Sequence, residues 1–200
     1  MIKAKGPLVY LRSLSQKDSL LFFNKVQKST FFLQDTLPWV LDIQSISDAS
    51  RFIETYSFQE ELDNGGLYGV FSNKNHTLLG VFYQHWIHWQ HLSTAIAYCI
   101  FEEHTQKGYG SEALYLLCQY LFRHLKLNRI EADIAEHNLQ SLALVQKLNF
   151  QKEGYFREYA MSQSKLSNHY RYALLQRDFL EWFEVPEAPG FSPVYMSNRV

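Results

Sequence analysis

Cysteine is scarce in this sequence, and no long apolar run occurs. Only Cys99 and Cys118 are present among 200 residues. Because one lies in a predicted strand and the other in a predicted helix, we expect buried, reduced thiols and a cytoplasmic location, not a disulfide framework. No apolar stretch approaches the length of a membrane span, and the first residues lack the apolar core of a signal peptide. A membrane is therefore not an expected partner.

An excess of one charge is also absent. The 19 basic and 20 acidic residues leave a net charge of -1, and no basic run stands out, so nucleic acid is not an expected partner. Three histidines, His85, His88 and His91, are spaced by three, but no carboxylate or cysteine accompanies them. Zinc and related metals draw on such ligands. We therefore predict a hairpin loop at residues 85–91 and no metal.

Apolar and aromatic residues are plentiful. Hydrophobic residues make up 46% of the chain and aromatic residues 16%, enough to fill a core and to line a cleft. The length suits one domain, which we place at residues 1–184. The stretch 185–200 holds three prolines and no apolar periodicity, so we expect an extended tail there.

Apolar periodicity orders the elements of the domain. It predicts strands at residues 8–14, 67–72, 78–84, 92–101, 129–135, 150–160 and 169–175, with 163–168 joining the last two. It predicts helices at 19–27, from 47, at 111–126 and from 138. The strand–turn–helix–strand run from 92 to 135 implies a parallel pair of strands joined by a right-handed crossover.

The turn before the third helix organises the chain. Residues 103–110 read E-H-T-Q-K-G-Y-G, and Gly108 and Gly110 stand where the strand gives way to the helix. A helix N-terminus offers unpaired N–H groups and the positive end of a dipole, which together suit an anion such as a phosphate. Glycines in such a turn also serve backbone conformation alone. Both interpretations stay open on the turn by itself.

Three motifs in sequence resemble the GNAT N-acetyltransferases. The acetyl-CoA loop of that family, (Q/R)-x-x-G-x-(G/A), corresponds to T-Q-K-G-Y-G at residues 105–110. The following block, N-x-x-S/A with a helix ending L-G-F, corresponds to N-L-Q-S at 138–141 and L-N-F at 148–150. The triplet L-P-W at 37–39 is similar to the ribosomal-protein serine/alanine N-acetyltransferase branch, of the RimJ and RimL kind. The resemblance covers residues 8–180.

The resemblance implies an α+β fold, with a mixed central sheet of about seven strands flanked by helices. Two parallel strands would splay apart to hold acetyl-CoA, with no metal. The residues implied to contact acetyl-CoA are Cys99, Ile100, Thr105, Gln106, Lys107, Gly108, Tyr109, Gly110, Ser111 and Asn138. Phe32 and Trp39 would contact the acceptor, unless the aromatic segment 30–40 is a connector that packs in the core.

Two residues of the second motif carry alternative roles. In the RimL-like branch the serine at the position of Ser141 is the proposed acid for the leaving thiolate, whose conjugate pKa of about 8.5 makes the demand modest. The alternative is a hydroxyl bonded back to its own helix. Asn138 would bind the pantetheine arm of acetyl-CoA with its amide, and it is also suited to cap a helix N-terminus.

Four positions depart from the family's pattern. Thr105 stands where Gln or Arg is usual, Asn149 replaces the glycine of L-G-F, and Val145 sits where other branches place a tyrosine acid. Ala95 occupies the place at which many relatives carry a carboxylate. An enzyme without an evident base suits an α-amine, since that group has a pKa of about 7.7–8.0, against about 10.4 for lysine.

The leading hypothesis is therefore an acetyl-CoA-dependent N-acetyltransferase that acts on the α-amine of a protein or peptide N-terminus. One alternative is acetylation of a small amine, such as an amino acid, a polyamine or an antibiotic, in a closed aromatic pocket. The other is acyl-CoA binding without catalysis, which Ala95 and Thr105 suggest. Because relatives often dimerise, we expect a homodimer.

Overall fold

One mixed sheet forms the centre of the molecule. The computed structural model describes residues 2–162 and 165–183. Within them the strands are β1 Lys3–Lys5, β2 Val9–Ser13, β3 Gly66–Ser72, β4 Leu78–His88, β5 Ser93–Ile100, β6 Arg129–Ala135, β7 Gln151–Ser162 and β8 Lys165–Leu175. Their order in the sheet is β1-β2-β3-β4-β5-β6-β8-β7. Neighbouring strands are antiparallel except β5 and β6, which are parallel.

Helices cover both faces of this sheet. They are α1 Ser19–Leu33, α2 Ile46–Glu61, α3 Tyr109–Arg123, α4 Leu139–Lys147 and α5 Gln176–Phe183. Short 3-10 turns lie at Gln16–Asp18, Pro38–Asp42 and Glu102–His104. None of the helices in the described part of the chain is long and apolar enough to cross a membrane.

Two hydrophobic clusters hold the layers together. On one face, buried leucines of α3, among them Leu117 and Leu121, pack with Ile130 of β6. On the other face, Phe22 of α1 and Ile53 of α2 pack with residues of β3, β4 and β5. Because side chains alternate along a strand, β5 contributes to both clusters, and its residues sort by parity between the two faces.

The parallel strands β5 and β6 pair over only three residues each. Ser93, Thr94 and Ala95 lie opposite Arg129, Ile130 and Glu131, and the pairing stops there. Both strands continue beyond this point, β5 to Ile100 and β6 to Ala135. The carboxyl ends of the two strands therefore stand apart, and a gap opens between them at the end where α3 and α4 begin.

The predicted fold class is confirmed, and the parallel pair splays as expected. The sheet has one strand more than expected because β1, which lacked a clear pattern, pairs with β2 at the edge. Helix α5 was not predicted either, although it buries Phe179. The predicted tail at residues 185–200 lies outside the described residues.

Several boundaries differ from prediction for physical reasons. Helix α1 continues six residues past Gln27 to Leu33 because Ser29 and Leu33 face the core and are buried. Strand β4 runs to His88, so half of the predicted hairpin loop is strand. Helix α3 begins two residues earlier than predicted, at Tyr109. Strand β8 begins at Lys165, inside the segment predicted to be a connection.

Candidate functional site

A cleft of about 730 Å³ occupies the open end of the gap between β5 and β6. Its walls come from the end of β5, the N-terminal turns of α3 and α4, and the segment that follows α1. The predicted site residues that line it are Phe32, Cys99, Ile100, Thr105, Gln106, Gly108, Gly110, Ser111, Asn138 and Ser141. Trp39, Lys107 and Tyr109 do not line it. Residues from four separate parts of the chain thus meet at one place.

The start of α3 presents free main-chain donors to the cleft. Gln106 and Gly108 both have left-handed backbone angles, with φ of 58° and 80°. Among the described residues, no acceptor is found for the N–H groups of residues 108–111. The acidic residue of the first turn, Glu112, is turned away and accepts the N–H groups of Leu8 and Val9 at 2.7 and 2.9 Å. The positive helix end is therefore left open to an anion.

Gly110 is closely packed at the same helix start. A Cβ atom at this position would lie 3.3 Å from Ile100 and 3.5 Å from Leu144. At Gly108 a Cβ would meet only Leu8, at 3.8 Å, so this glycine serves its positive φ instead. The two glycines therefore have different roles. Gly110 lets the helix approach β5 and α4, and Gly108 allows the turn.

The free edge of β5 faces the gap with every second residue. The N–H of Phe101 donates to the carbonyl of Leu79 on β4 at 2.9 Å. By the alternation of an antiparallel ladder, the main-chain groups of Cys99 also point to β4, whereas those of Tyr98 and Ile100 point into the gap. The main-chain groups that face the gap are therefore those of Tyr98 and Ile100 and not those of Cys99. The Cys99 thiol is 5% exposed, and burial raises its pKa to about 12.

Asn138 and Ser141 meet in the first turn of α4. The Asn138 Oδ1 accepts the Ser141 N–H at 3.1 Å, so Asn138 caps the helix, and its amide nitrogen has no acceptor among the described residues. The Tyr98 hydroxyl donates to the Ser141 carbonyl at 3.4 Å. The Ser141 hydroxyl makes no bond of good geometry back to its own helix within the described chain, and the Tyr98 hydroxyl is the polar group that it comes near.

Side chains of the glycine turn bond locally. Thr105 Oγ1 donates to the carbonyl of Glu102 at 3.0 Å, and Lys107 Nζ donates to the carbonyl of Glu103 at 2.7 Å. The turn therefore offers main-chain groups more than side chains, which explains how Thr can stand for Gln or Arg. His104 lines the cleft, and its pKa is lowered by burial and by the neighbouring Lys25.

The aromatic segment 30–40, which includes the last turn of α1, divides between its two interpretations. Trp39 stacks on Phe52 with ring centroids 4.7 Å apart and meets Tyr83 edge-on at 6.1 Å. Its indole N–H is buried without a hydrogen bond of good geometry, and the Tyr83 hydroxyl is the polar group it comes near. Trp39 is thus a packing residue, whereas Phe32 lines the cleft.

Two departures from the family pattern have a structural reason. Asn149 follows α4 with φ of 62°, a left-handed angle that asparagine tolerates better than most residues, so it can replace glycine. Val145 is fully buried in the core and does not line the cleft. Cleft residues that sequence reasoning missed include Tyr98, Asp35, His104 and Lys147. None of these four residues stands in a motif. For Lys147 alone a signal existed, since it lies on the helix that Asn138 begins.

The histidines of the hairpin contact neighbouring aromatic rings. No group of three His, Cys, Asp or Glu side chains in residues 2–162 and 165–183 is arranged to hold a metal ion. His88 instead accepts a hydrogen bond from the Trp86 indole at 2.6 Å.

Comparison with known proteins identifies the family. A family model described as an acetyltransferase (GNAT) domain matches residues 9–151. The chain belongs to the GNAT acetyltransferase family. The probable N-acetyltransferase YjcK of Bacillus subtilis (strain 168) is 30% identical over 176 residues, which are 87% of this chain and 97% of YjcK. The predicted family and the predicted enzyme class, an N-acetyltransferase, are confirmed.

Other relatives match over less of their length. The uncharacterized N-acetyltransferase p20 of Bacillus licheniformis is 40% identical over 84 residues, 42% of this chain and 47% of p20. The [ribosomal protein uS5]-alanine N-acetyltransferase of Escherichia coli (strain K12) is 32% identical over 84 residues, 42% of this chain and 43% of that enzyme. These matches span less than half of either protein.

Solved structures share the fold at low identity. RimL, described as a ribosomal L7/L12 α-N-protein acetyltransferase in complex with coenzyme A, superposes with a TM-score of 0.84 at 18% identity, covering 89% of this chain and 99% of RimL. The ribosomal-protein-S5-alanine acetyltransferase from Vibrio fischeri gives a TM-score of 0.82 at 16% identity, with 90% and 99% covered. At these identities the likeness is one of fold.

Proposed function

We propose that this GNAT enzyme transfers the acetyl group of acetyl-CoA to the α-amine of a protein or peptide N-terminus. The observation that carries the proposal is the set of free N–H groups at residues 108–111, which stands at the open end of the gap between β5 and β6. A diphosphate is the part of acetyl-CoA that such a helix start binds. The neighbouring RimL structure contains coenzyme A.

The free edge of β5 suits the amide-bearing arm of acetyl-CoA. The main-chain groups of Tyr98 and Ile100 point into the gap and have no strand partner there. The free amide nitrogen of Asn138 faces the same cleft. An extended arm bound along this edge would bring the thioester toward the closed end of the gap, next to Ala95 and Ala97.

The transfer itself needs three groups. The lone pair of the neutral amine forms a C–N bond to the thioester carbonyl, whose oxygen takes the negative charge and is stabilised by a main-chain N–H of β5. Collapse of that oxyanion breaks the C–S bond. The leaving thiolate takes a proton, for which the Ser141 hydroxyl at the cleft is the proposed donor. The nitrogen loses one proton as the amide forms, and that proton, relayed by water, restores the serine hydroxyl.

An open cleft supports a peptide acceptor more than a small amine. The cleft is rimmed by exposed residues, among them Asp35 and Leu139, the latter 72% exposed. Trp39, which could have closed an aromatic pocket, packs on Phe52 instead. The name of the Escherichia coli relative specifies an alanine of a ribosomal protein. The predicted homodimer and cytoplasmic location stay predictions.

The test is release of the coenzyme A thiol in the presence of matched acceptors. A peptide with a free N-terminus and no lysine is compared with the same peptide blocked at the N-terminus and carrying one lysine. We expect thiol release with the first peptide only, because more of its amine is neutral near pH 7. Equal release with the blocked peptide would contradict the proposal. Release only with amino acids or polyamines would favour the small-amine alternative.

A further inference from the structure

Strand β4 carries a bulge next to the closed end of the gap. Gln84 lies opposite Ile96 on β5, but the next pair is Ile87 with Thr94, so β4 has one residue more than β5 between the two pairs. The residues within the bulge are His85 and Trp86. A bulge redirects side chains and is common beside active sites.

Buried polar groups fix the bulge in place. The Thr94 hydroxyl lies 3.2 Å from the carbonyl oxygens of both His85 and Trp86. The Gln84 amide lies 3.4 Å from the Thr94 hydroxyl, and its oxygen accepts from the Tyr68 hydroxyl at 2.7 Å. Gln84 and Thr94 are 0% and 2% exposed. Burying two polar side chains is unfavourable unless they are bonded, so this chain of contacts specifies the conformation of the bulge.

Strand alternation places His85 on the sheet face opposite α3. The His85 ring lies 5.1 Å from that of Tyr83, which packs with the α1–α2 cluster. On β5 the same face carries Ala95 and Ala97, because Ile96 packs toward α3. Both alanines are short and half-buried, and they lie at the level where the pairing of β5 with β6 ends.

On β6 the same face carries Asp133, since its neighbours Ala132 and Ile134 pack toward α3. Arg171 of β8 donates two hydrogen bonds to Asp133, at 2.8 and 2.7 Å. The Tyr159 hydroxyl donates to Asp133 at 2.9 Å. His85, the two alanines and this carboxylate therefore line one strip of the sheet, across the closed end of the gap.

The surroundings keep His85 neutral near pH 7. Burial lowers its pKa below the ordinary value, and the charge of Asp133 raises it in part. The other titratable groups around this strip are Tyr56 of α2, Tyr83 and His88 of β4, Glu131 of β6, Tyr159 of β7 and Arg171 of β8. A neutral imidazole can accept a proton. His85, which lies across from Ala95, therefore has the chemistry of the carboxylate that many relatives carry at that position.

We propose that His85 is the proton acceptor for the amine that is acetylated, with Asp133 positioning it by charge. The proposal rests on the proposed function. One proton of the acceptor ammonium passes to the free ring nitrogen of His85 and from there to water. The resulting neutral amine forms the C–N bond, and the C–S bond breaks. The second proton that the nitrogen loses returns through water to Ser141 and replaces the proton that the thiolate received.

The test compares His85→Gln with His91→Gln, an exposed histidine of the same hairpin that lies outside the strip. For His85→Gln we expect kcat/KM to fall on the order of 100-fold or more, as for loss of a general base. The acetyl-CoA affinity and the melting temperature should stay as in the wild type. The acid limb of the pH profile of kcat/KM should disappear, and in His85→Ala added imidazole should restore part of the rate. His91→Gln should match the wild type throughout.

Asp133→Asn sharpens the test without removing the imidazole. Loss of the Asp133 charge should move the acid limb of kcat/KM to lower pH. A His85→Gln enzyme with wild-type kcat/KM and an unchanged acid limb would overturn the proposal and leave the proposed function intact. A wild type that binds acetyl-CoA but releases no thiol with any amine would overturn both.

Discussion

The open and closed ends of the β5–β6 gap differ in the groups that line them. At its open end, the groups that face the gap are main-chain groups: the free N–H groups of residues 108–111 and the edge of β5 at Tyr98 and Ile100. At its closed end, the strip that carries His85 and Asp133 is made of side chains from neighbouring strands. One side suits a part of acetyl-CoA that is always the same, and the other suits an acceptor that differs among enzymes.

This difference separates the expected effects of mutation. Substitutions at the start of α3 and at Asn138 should change acetyl-CoA affinity, whereas substitution of Ser141, which lines the same cleft, should change turnover. Substitutions at the closed end should change turnover and acceptor choice while acetyl-CoA affinity stays constant. A variant that changes both acetyl-CoA affinity and turnover would contradict this division between the two ends of the gap.

The largest effect is expected from Gly108→Glu. A Cβ at Gly108 would meet only Leu8, at 3.8 Å, so the substitution adds backbone strain but no clash, and its carboxylate would meet the diphosphate at the helix start. Repulsion of about 4 kcal/mol, for charges about 4 Å apart at a dielectric of about 20, would lower affinity on the order of 1,000-fold. Gly108→Ala is the matched control, because it carries the same backbone strain at φ of 80° without the charge. Calorimetric titration with acetyl-CoA measures both, and equal affinity of the two variants would remove the diphosphate from this position.

A smaller effect, on turnover, is expected from Ser141→Ala. Loss of the proton donor should lower kcat on the order of 10- to 100-fold, since the leaving thiolate needs only modest help. Affinity for acetyl-CoA should not change, because the hydroxyl is assigned to the leaving group. Ser141→Thr keeps a hydroxyl and should recover much of the rate. Steady-state thiol release gives kcat, and full activity of the alanine variant would exclude Ser141 as the donor.

Thr94→Val tests whether the bulge on β4 matters to the closed end. Valine fills the same space but cannot bond the carbonyls of His85 and Trp86, so the bulge loses its fixed conformation. We expect kcat to fall about 10-fold, roughly what a lost hydrogen bond of about 1.5 kcal/mol would give. The acetyl-CoA affinity should be that of the wild type. A variant that loses acetyl-CoA binding and keeps kcat would reverse the assignment.

The smallest effect is expected from Asn138→Asp. Aspartate caps a helix as well as asparagine does, so the melting temperature should hold, but the amide N–H donor is lost. Acetyl-CoA affinity should fall about 5-fold, the value of one hydrogen bond of about 1 kcal/mol. Asn138→Ala should lower stability as well, by about 1 kcal/mol. If aspartate leaves affinity unchanged, Asn138 is a cap alone.

The open end could be predicted from sequence because its determinants are local. A strand, a glycine turn and a helix within residues 92–123 place the free N–H groups of residues 108–111, and Asn138 and Ser141 follow within one short motif. That the main-chain groups of Cys99 face β4 could not be predicted, because the direction of a strand N–H depends on pairing with β4, which periodicity does not reveal. Pairing with β4 likewise decides that the main-chain groups of Tyr98 and Ile100 point into the gap.

The closed end could not be predicted, since its residues are distant in sequence. His85 and Asp133 are neighbours only because β5 lies between β4 and β6 in the sheet. The histidine-rich segment was assigned to a loop, and a one-residue bulge decides which face His85 points to. Helix α5 was missed because no motif or cap marked its start, although its burial of Phe179 holds it to the core.

A crystal structure of the complex with acetyl-CoA tests most directly how the gap is used. We expect diphosphate oxygens within hydrogen-bonding distance of the N–H groups of residues 108–111, and the acyl arm between β5 and β6 with its thioester toward Ala97. Acetyl-CoA bound elsewhere, or the N–H groups at the start of α3 occupied by the protein itself, would contradict this assignment.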